Sequence, residues 1–105
     1  PPTVPTKETG HRVWDCGIVL AKYVDRTLTR AECSPLKVVE VGCGTGIGGL
    51  ALALKGADVT LTDLPGVAER TQRSVQLNKP LVHGVGGAVQ FRVLDWRQLH
   101  DWDGP

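Results

Sequence analysis

The stretch 40-EVGCGTGIGG-49 decides how this chain is read. It follows the apolar run 36-LKVVEV-41 and precedes a segment in which Ile47, Leu50, Ala51 and Leu54 recur at helical spacing. A glycine-dense turn between a short β-branched run and an amphipathic one reads as strand, tight turn, helix. Near-continuous apolarity in the strand predicts burial on both faces, as in a parallel sheet.

Working outward, the helix that opens at Ile47 carries Lys55 in its last turn, with Gly56 placed as a left-handed stop. The run 58-DVTLTD-63 alternates Val59 and Leu61 with threonines and ends on Asp63, a second strand. Pro65 sits where a first helical residue would, and predicts a helix reaching Asn78, followed by a loop over 79–87. Val89, Phe91 and Val93 then alternate with Gln90 and Arg92 in a third strand that ends at 94-LDW-96. Upstream, Cys16, Leu20, Tyr23, Val24 and Leu28 predict a helix from Asp15 to about Leu28, broken by 31-AECSP-35. Residues 1–12, with Pro1, Pro2 and Pro5, read as an extended arm, and 13–105 as one domain. The order helix, β, α, β, α, β predicts an α/β fold with a Rossmann-like parallel sheet and a ligand at the carboxyl ends of its strands.

Composition narrows the function classes. The chain has 105 residues, 41% hydrophobic and 22% charged, with a net charge of +1, which suits one globular unit. Its lysines and arginines are scattered, so neither nucleic acid nor an anionic membrane is indicated as a partner. Cys16, Cys33 and Cys43 form no CxxC pair and suggest no metal site with His11, His83 or His100. No stretch approaches the roughly 20 apolar residues of a membrane helix, and the start has no signal-peptide core. The expected location is the cytoplasm, or the nucleus. The absence of methionine suggests a processed product or a fragment.

Two ligands need such a bare turn. A dinucleotide fold places its first glycine directly after the strand and its third at the end of a GxGxxG spacing; counted from Gly42, that third position is Ile47. A formal GxGxxG runs through Gly44, Gly46 and Gly49 but starts inside the turn, so a dinucleotide fits only in a shifted register. The other pattern, acidic-x-Gly-x-Gly-x-Gly, is met by Glu40, Gly42, Gly44 and Gly46. It resembles motif I of the seven-stranded S-adenosylmethionine-dependent methyltransferases. That cofactor has a carboxylate and a ribose but no pyrophosphate, so the helix N-terminus meets less negative charge. Glu40 has a plainer reading as a strand-end acid paired with a lysine. Asp63 suits a ribose diol in either fold, and also suits a helix N-cap before Leu-Pro.

Four further pieces favour the methyltransferases: 13-VWDCGIVLAKYV-24, 39-VEVGCGTGIGGLALALKGADVTLTDLP-65, Asn78 and 94-LDW-96. In that order and spacing they resemble the family 16 protein lysine methyltransferases, from about residue 10 onward. The resemblance implies S-adenosylmethionine as cofactor, bordered by Trp14 and Trp96, with its methionine part on Gly42, Cys43 and Gly44, its ribose on Asp63 and its adenine amino group on Asp95. Indole faces would add stacking and cation–π attraction, about 1 kcal/mol at a partly exposed site. Trp102 reads as core, Cys43 as a small filler, and the histidines as surface residues. The family's acidic-x-x-Tyr motif follows a fourth strand and would lie beyond residue 105, so no catalytic residue is named. The first strand would then have an unpaired apolar edge, open to self-association. The implied activity is lysine methylation of a protein substrate; the alternatives are a nicotinamide dehydrogenase domain and a non-catalytic cofactor-binding scaffold.

Overall fold

A computed structural model describes residues 15–102; the predicted arm, Trp14 and His11 lie outside them. The elements are α1 (Asp15–Thr27), α2 (Arg30–Cys33), β1 (Lys37–Glu40), α3 (Ile47–Ala53), β2 (Asp58–Asp63), a 3₁₀ turn (Pro65–Val67), α4 (Ala68–Gly84), β3 (Ala88–Val93) and a 3₁₀ segment (Trp96–Asp101). The strands form one parallel sheet in the order β1-β2-β3, with Glu40 opposite Leu61 and Asp63 opposite Val93. The α/β class and the element order follow the sequence expectation. Among the described residues no helix is long and apolar enough to cross a membrane, and no cluster could hold a metal ion.

The core sits between β2 and the helices α3 and α4. Val59 and Leu61 are fully buried with Ala53, Val75 and Val82; each larger side chain contributes about 1.5–3 kcal/mol. Leu61 is held from two sides. A Cβ on Gly46 would lie 2.7 Å from its Cδ1, and one on Gly49 would lie 2.4 Å from its Cδ2. Helix α3 therefore rests on β2 through bare backbone.

Four expectations are corrected. First, the faces of β1 are only half covered: Val39 is 37% exposed and Val41, just beyond the strand, is 50% exposed, so its apolarity is not matched by burial on both faces; its unpaired edge is as expected. Secondly, α1 turns a different stripe inward. Val24 is buried, Gly17, Ala21 and Leu28 are partly buried, and Cys16, Leu20 and Tyr23 are exposed. The position of a Cβ on Gly17 lies 3.2 Å from Ile47 Cγ2, so small residues let α1 approach α3 closely. Lys55 then closes α1, its Nζ donating to the carbonyls of Asp25 at 2.9 Å and Leu28 at 3.0 Å.

Thirdly, the break after α1 comes at Leu28-Thr29, and 30-RAEC-33 forms a short helix instead of a loop. Thr29 and Glu32 make a reciprocal capping box, which satisfies two backbone donors at once. Finally, α4 runs on through Pro80 to Gly84, so Asn78 lies inside the helix, with its Nδ2 donating to Ser74 O at 2.8 Å. Proline costs a helix interior about 3 kcal/mol. Complete burial of Val82, and the backbone donors of Val85 and Gly87 returning to its carbonyl, offset that cost.

Candidate functional site

The carboxyl ends of all three strands open onto one cleft of about 370 Å³, lined by Gly42, Asp63, Leu64, Leu94, Asp95, Trp96 and Arg97. Its size falls within the range of small-molecule sites. Each strand contributes one piece of wall: the glycine turn from β1, Asp63-Leu64 from β2, and Leu94-Asp95-Trp96 from β3.

The glycine turn is held in a shape that side chains resist. Gly42, Gly44 and Gly46 have φ of 63°, 56° and 82°, in the left-handed region that glycine occupies without penalty. Cys43 N donates to Thr62 O at 2.9 Å, which ties the turn to β2. Asp63 completes the tie. Its Oδ2 accepts from Gly44 N at 2.8 Å and its Oδ1 from Leu64 N at 2.7 Å. The N-cap position is taken by Leu64 without a side-chain bond, so Asp63 does not serve as a helix cap. Two of the four acceptor directions of this carboxylate remain for a ligand.

Glu40 points elsewhere. Its Oε1 accepts from Gly49 N at 3.0 Å, inside the contact between β1 and α3, and it forms no part of the cleft wall. Burial raises its pKa above the ordinary glutamate value, and the charge of Asp63 adds to the rise. The cofactor role expected of Glu40 is not met by its position behind the turn, and the lysine partner of its plainer reading is replaced by a backbone N–H.

Cys43 is buried, and burial followed by the charges of Glu40 and Asp63 pushes its thiol up to about 12. A thiol so protonated is a poor nucleophile, in keeping with the filler reading. Thr71 is a site residue that the sequence reading missed. Fully buried on α4, its hydroxyl lies 2.6 Å from Gly44 O and 3.1 Å from Val67 O, so it supports the glycine turn from beneath. The available signal was a lone hydroxyl in the i, i+4, i+8 stripe of Val67, Thr71 and Val75.

On the far wall, Trp96 is 64% exposed, and its Cζ2 lies 3.9 Å from where a Gly42 Cβ would be. Asp95 caps the 3₁₀ segment by accepting from Arg97 N at 2.9 Å. Its carboxyl is held down to about 2, chiefly by hydrogen bonds from the Arg97 side chain. Trp102 is half-buried rather than core, with the Arg92 guanidinium 4.0 Å from the centre of its ring. The structure thus brings Gly42, Asp63, Asp95 and Trp96 together, places Cys43, Gly44 and Gly46 in the adjoining turn, and sets Glu40 behind it.

The sequence pattern of the lysine methyltransferase family matches residues 5–103. The chain belongs to the lysine methyltransferase family. Within curated relatives, mouse EEF1A lysine methyltransferase 3 is 40% identical over 85 residues, 81% of this chain and 34% of that protein. Zebrafish protein N-lysine methyltransferase METTL21A is 36% identical over 89 residues, covering 85% of this chain and 39% of that protein. Protein-lysine N-methyltransferase EFM2 of Saccharomyces cerevisiae is 28% identical over 120 residues, 96% of this chain and 27% of the yeast protein. The chain spans about a third of the length of these family members.

Proposed function

We propose that the cleft binds S-adenosylmethionine and that the protein carrying this chain methylates lysine side chains of a protein substrate. The observation that carries this reading is the meeting of Gly42, Asp63 and Trp96 around one cleft at the carboxyl ends of three parallel strands. The residues fit the cofactor. Leu64, Leu94 and the Trp96 indole offer apolar walls for a purine. Asp63 keeps acceptor capacity for two ribose hydroxyls, and the Gly42–Gly44 backbone leaves room for the methionine part.

A dinucleotide fits less well. In the shifted register Gly46 would face a pyrophosphate, but Leu61 Cδ1 and Thr71 Cγ2 fill the space beside it.

When bound, the cofactor supplies a sulfonium-activated methyl group for in-line displacement by a neutral amine. A target lysine, with an unperturbed pKa of about 10.4, must shed its proton first. The described residues hold and orient the nucleoside; none of them is assigned that proton. We place the protein in the cytoplasm or nucleus, and propose that the exposed outer edge of β1 contacts a second copy of the chain, the alternative being that it pairs with the remainder of a longer protein. Sedimentation velocity over a concentration series tests that contact: a monomer at every concentration refutes it.

Calorimetric titration with S-adenosylhomocysteine and, separately, NAD tests the ligand reading, with Asp63→Ala as the control. S-adenosylhomocysteine should bind selectively, and the substitution should weaken it by about tenfold, the loss of charge-assisted bonds to the ribose. Selective binding of NAD overturns the reading. Binding of the cofactor without methyl transfer by the complete protein would identify a scaffold.

A further inference from the structure

The glycine turn is anchored on both sides of Gly44, and a ligand can reach only one of the two anchors. On one side Asp63 Oδ2 accepts from Gly44 N at 2.8 Å, and on the other the Thr71 hydroxyl donates to Gly44 O at 2.6 Å. A hydroxyl has one proton to give. The separation from Gly44 O falls within the usual O–H···O range, whereas the 3.1 Å to Val67 O lies beyond it, so the proton goes to the turn. Cys43 Sγ, 3.6 Å from the same oxygen, is a weak donor and no substitute.

Gly44 N and Gly44 O belong to consecutive peptide units, so Asp63 fixes the unit before Gly44 and Thr71 the unit after it. At a φ of 56° glycine lacks the side-chain clashes that would hold either unit in place, and hydrogen bonds take over that task. Asp63 lines the cleft and, in the cofactor reading, is shared with the ribose. Thr71 is fully buried on α4 and Gly44 is buried above it, so their bond is out of a ligand's reach and shapes the turn before anything binds. The turn enters the cleft at Gly42, just upstream of this bond.

We propose that Thr71 is a positioning residue of the cofactor site: through Gly44 it preorganises the part of the turn that receives the amino-acid tail of the ligand, while the nucleoside half is held independently by Asp63 and Trp96. This rests on the cofactor reading given above. A backbone already in its bound shape spares the ordering cost of binding. Only the part of the ligand that lies on the turn gains from it.

The test uses the full chain and two ligands that share the nucleoside and its sulfur, S-adenosylhomocysteine and 5′-methylthioadenosine; the second carries a methyl group in place of the amino-acid tail. Calorimetry on the parent should show S-adenosylhomocysteine binding at least about tenfold more tightly, through charge-assisted bonds to the tail. Thr71→Val keeps the shape of the side chain and removes the hydroxyl. Its affinity for S-adenosylhomocysteine should fall by about tenfold, and that for 5′-methylthioadenosine should stay within about twofold of the parent. Thr71→Ser keeps the hydroxyl and loses the methyl that lies beside Gly46, so it should hold the parent's ratio even where its melting midpoint drops. If Thr71→Val does not fold, Thr71→Ser against Thr71→Ala makes the same comparison in a roomier site, with the ratio kept in the first and lost in the second.

An unchanged ratio in the variant without the hydroxyl overturns the proposal, whether affinity is kept or falls equally for both ligands; the second pattern is what a purely structural role would give. A ratio lost in Thr71→Ser as fully as in Thr71→Val overturns it as well, because packing of the methyl would then be responsible. If the parent binds both ligands equally, the tail gains nothing from the turn, and the proposal fails while the cofactor reading stands. If the parent binds neither, the cofactor reading itself fails and the proposal falls with it.

Discussion

Gly49→Ala should be the most damaging single-methyl change in α3. The new Cβ would lie 2.4 Å from Leu61 Cδ2, 2.8 Å from Glu40 Oε1 and 3.1 Å from Val59 Cγ1. Leu61 is fully buried and cannot rotate away, because its other methyl already lies against Gly46. Relief requires α3 to lift from the sheet, and overpacking of this kind costs about 2–3 kcal/mol. The same movement stretches the Gly49 N–H bond to the buried Glu40 carboxylate, at a further cost of about 1 kcal/mol. Alanine returns about 1 kcal/mol through its helix propensity. The net loss is about 2–3 kcal/mol, or about 10–20 °C in melting midpoint for a domain of this size.

Thermal and urea melts followed by circular dichroism measure it, with two internal controls. At Gly48 the near neighbours of a Cβ are Leu20 Cδ2 at 3.0 Å and Glu40 Oε2 at 3.3 Å. Leu20 is largely exposed and free to move, so Gly48→Ala should cost far less. Gly84 has nothing within 4 Å of that position, and Gly84→Ala should stabilise by about 0.5–1 kcal/mol. A Gly49→Ala protein as stable as the parent would refute the close-contact argument.

Two other outcomes are expected. Burial raises the pKa of Glu40, so its folded pKa lies above its unfolded one; its contribution is complete in acid, below the unfolded value, and is lost as pH rises through the folded pKa. Glu40→Gln, which keeps an acceptor for Gly49 N–H without burying a charge, should therefore gain stability relative to the parent as pH rises from acid to neutral; urea midpoints that shift equally at all pH values would contradict this. Of the three cysteines, Cys33 and Cys43 are buried and Cys16 is exposed; a chromogenic disulfide reagent should therefore titrate one thiol in the native protein and three in urea, and rapid native labelling of Cys43 would be the refuting result.

The sequence by itself determined the alternation of strands and helices, the glycine turn and the acid at the end of β2. These are local properties. Apolar periodicity, a φ accessible only to glycine and a strand-terminal carboxylate are each encoded within a few neighbouring residues. Hence α3, β2 and β3 fall almost where the pattern places them, and Asp63 and Trp96 meet at the cleft.

Tertiary structure decided what depends on residues distant in sequence. Glu40 could turn to the cleft or to α3; the desolvated N–H of Gly49 drew it to α3. Two adjacent stripes on α1 both show helical spacing, and the one with Gly17 and Ala21 won because close approach to Ile47 requires small side chains. Pro80 would end an isolated helix, but the buried site for Val82 carries α4 past it. Thr71 became a support of the glycine turn because folding brings α4 beneath Gly44. In each case an unpaired polar group or an unfilled contact in the assembled core set the outcome, and no local pattern contains that information.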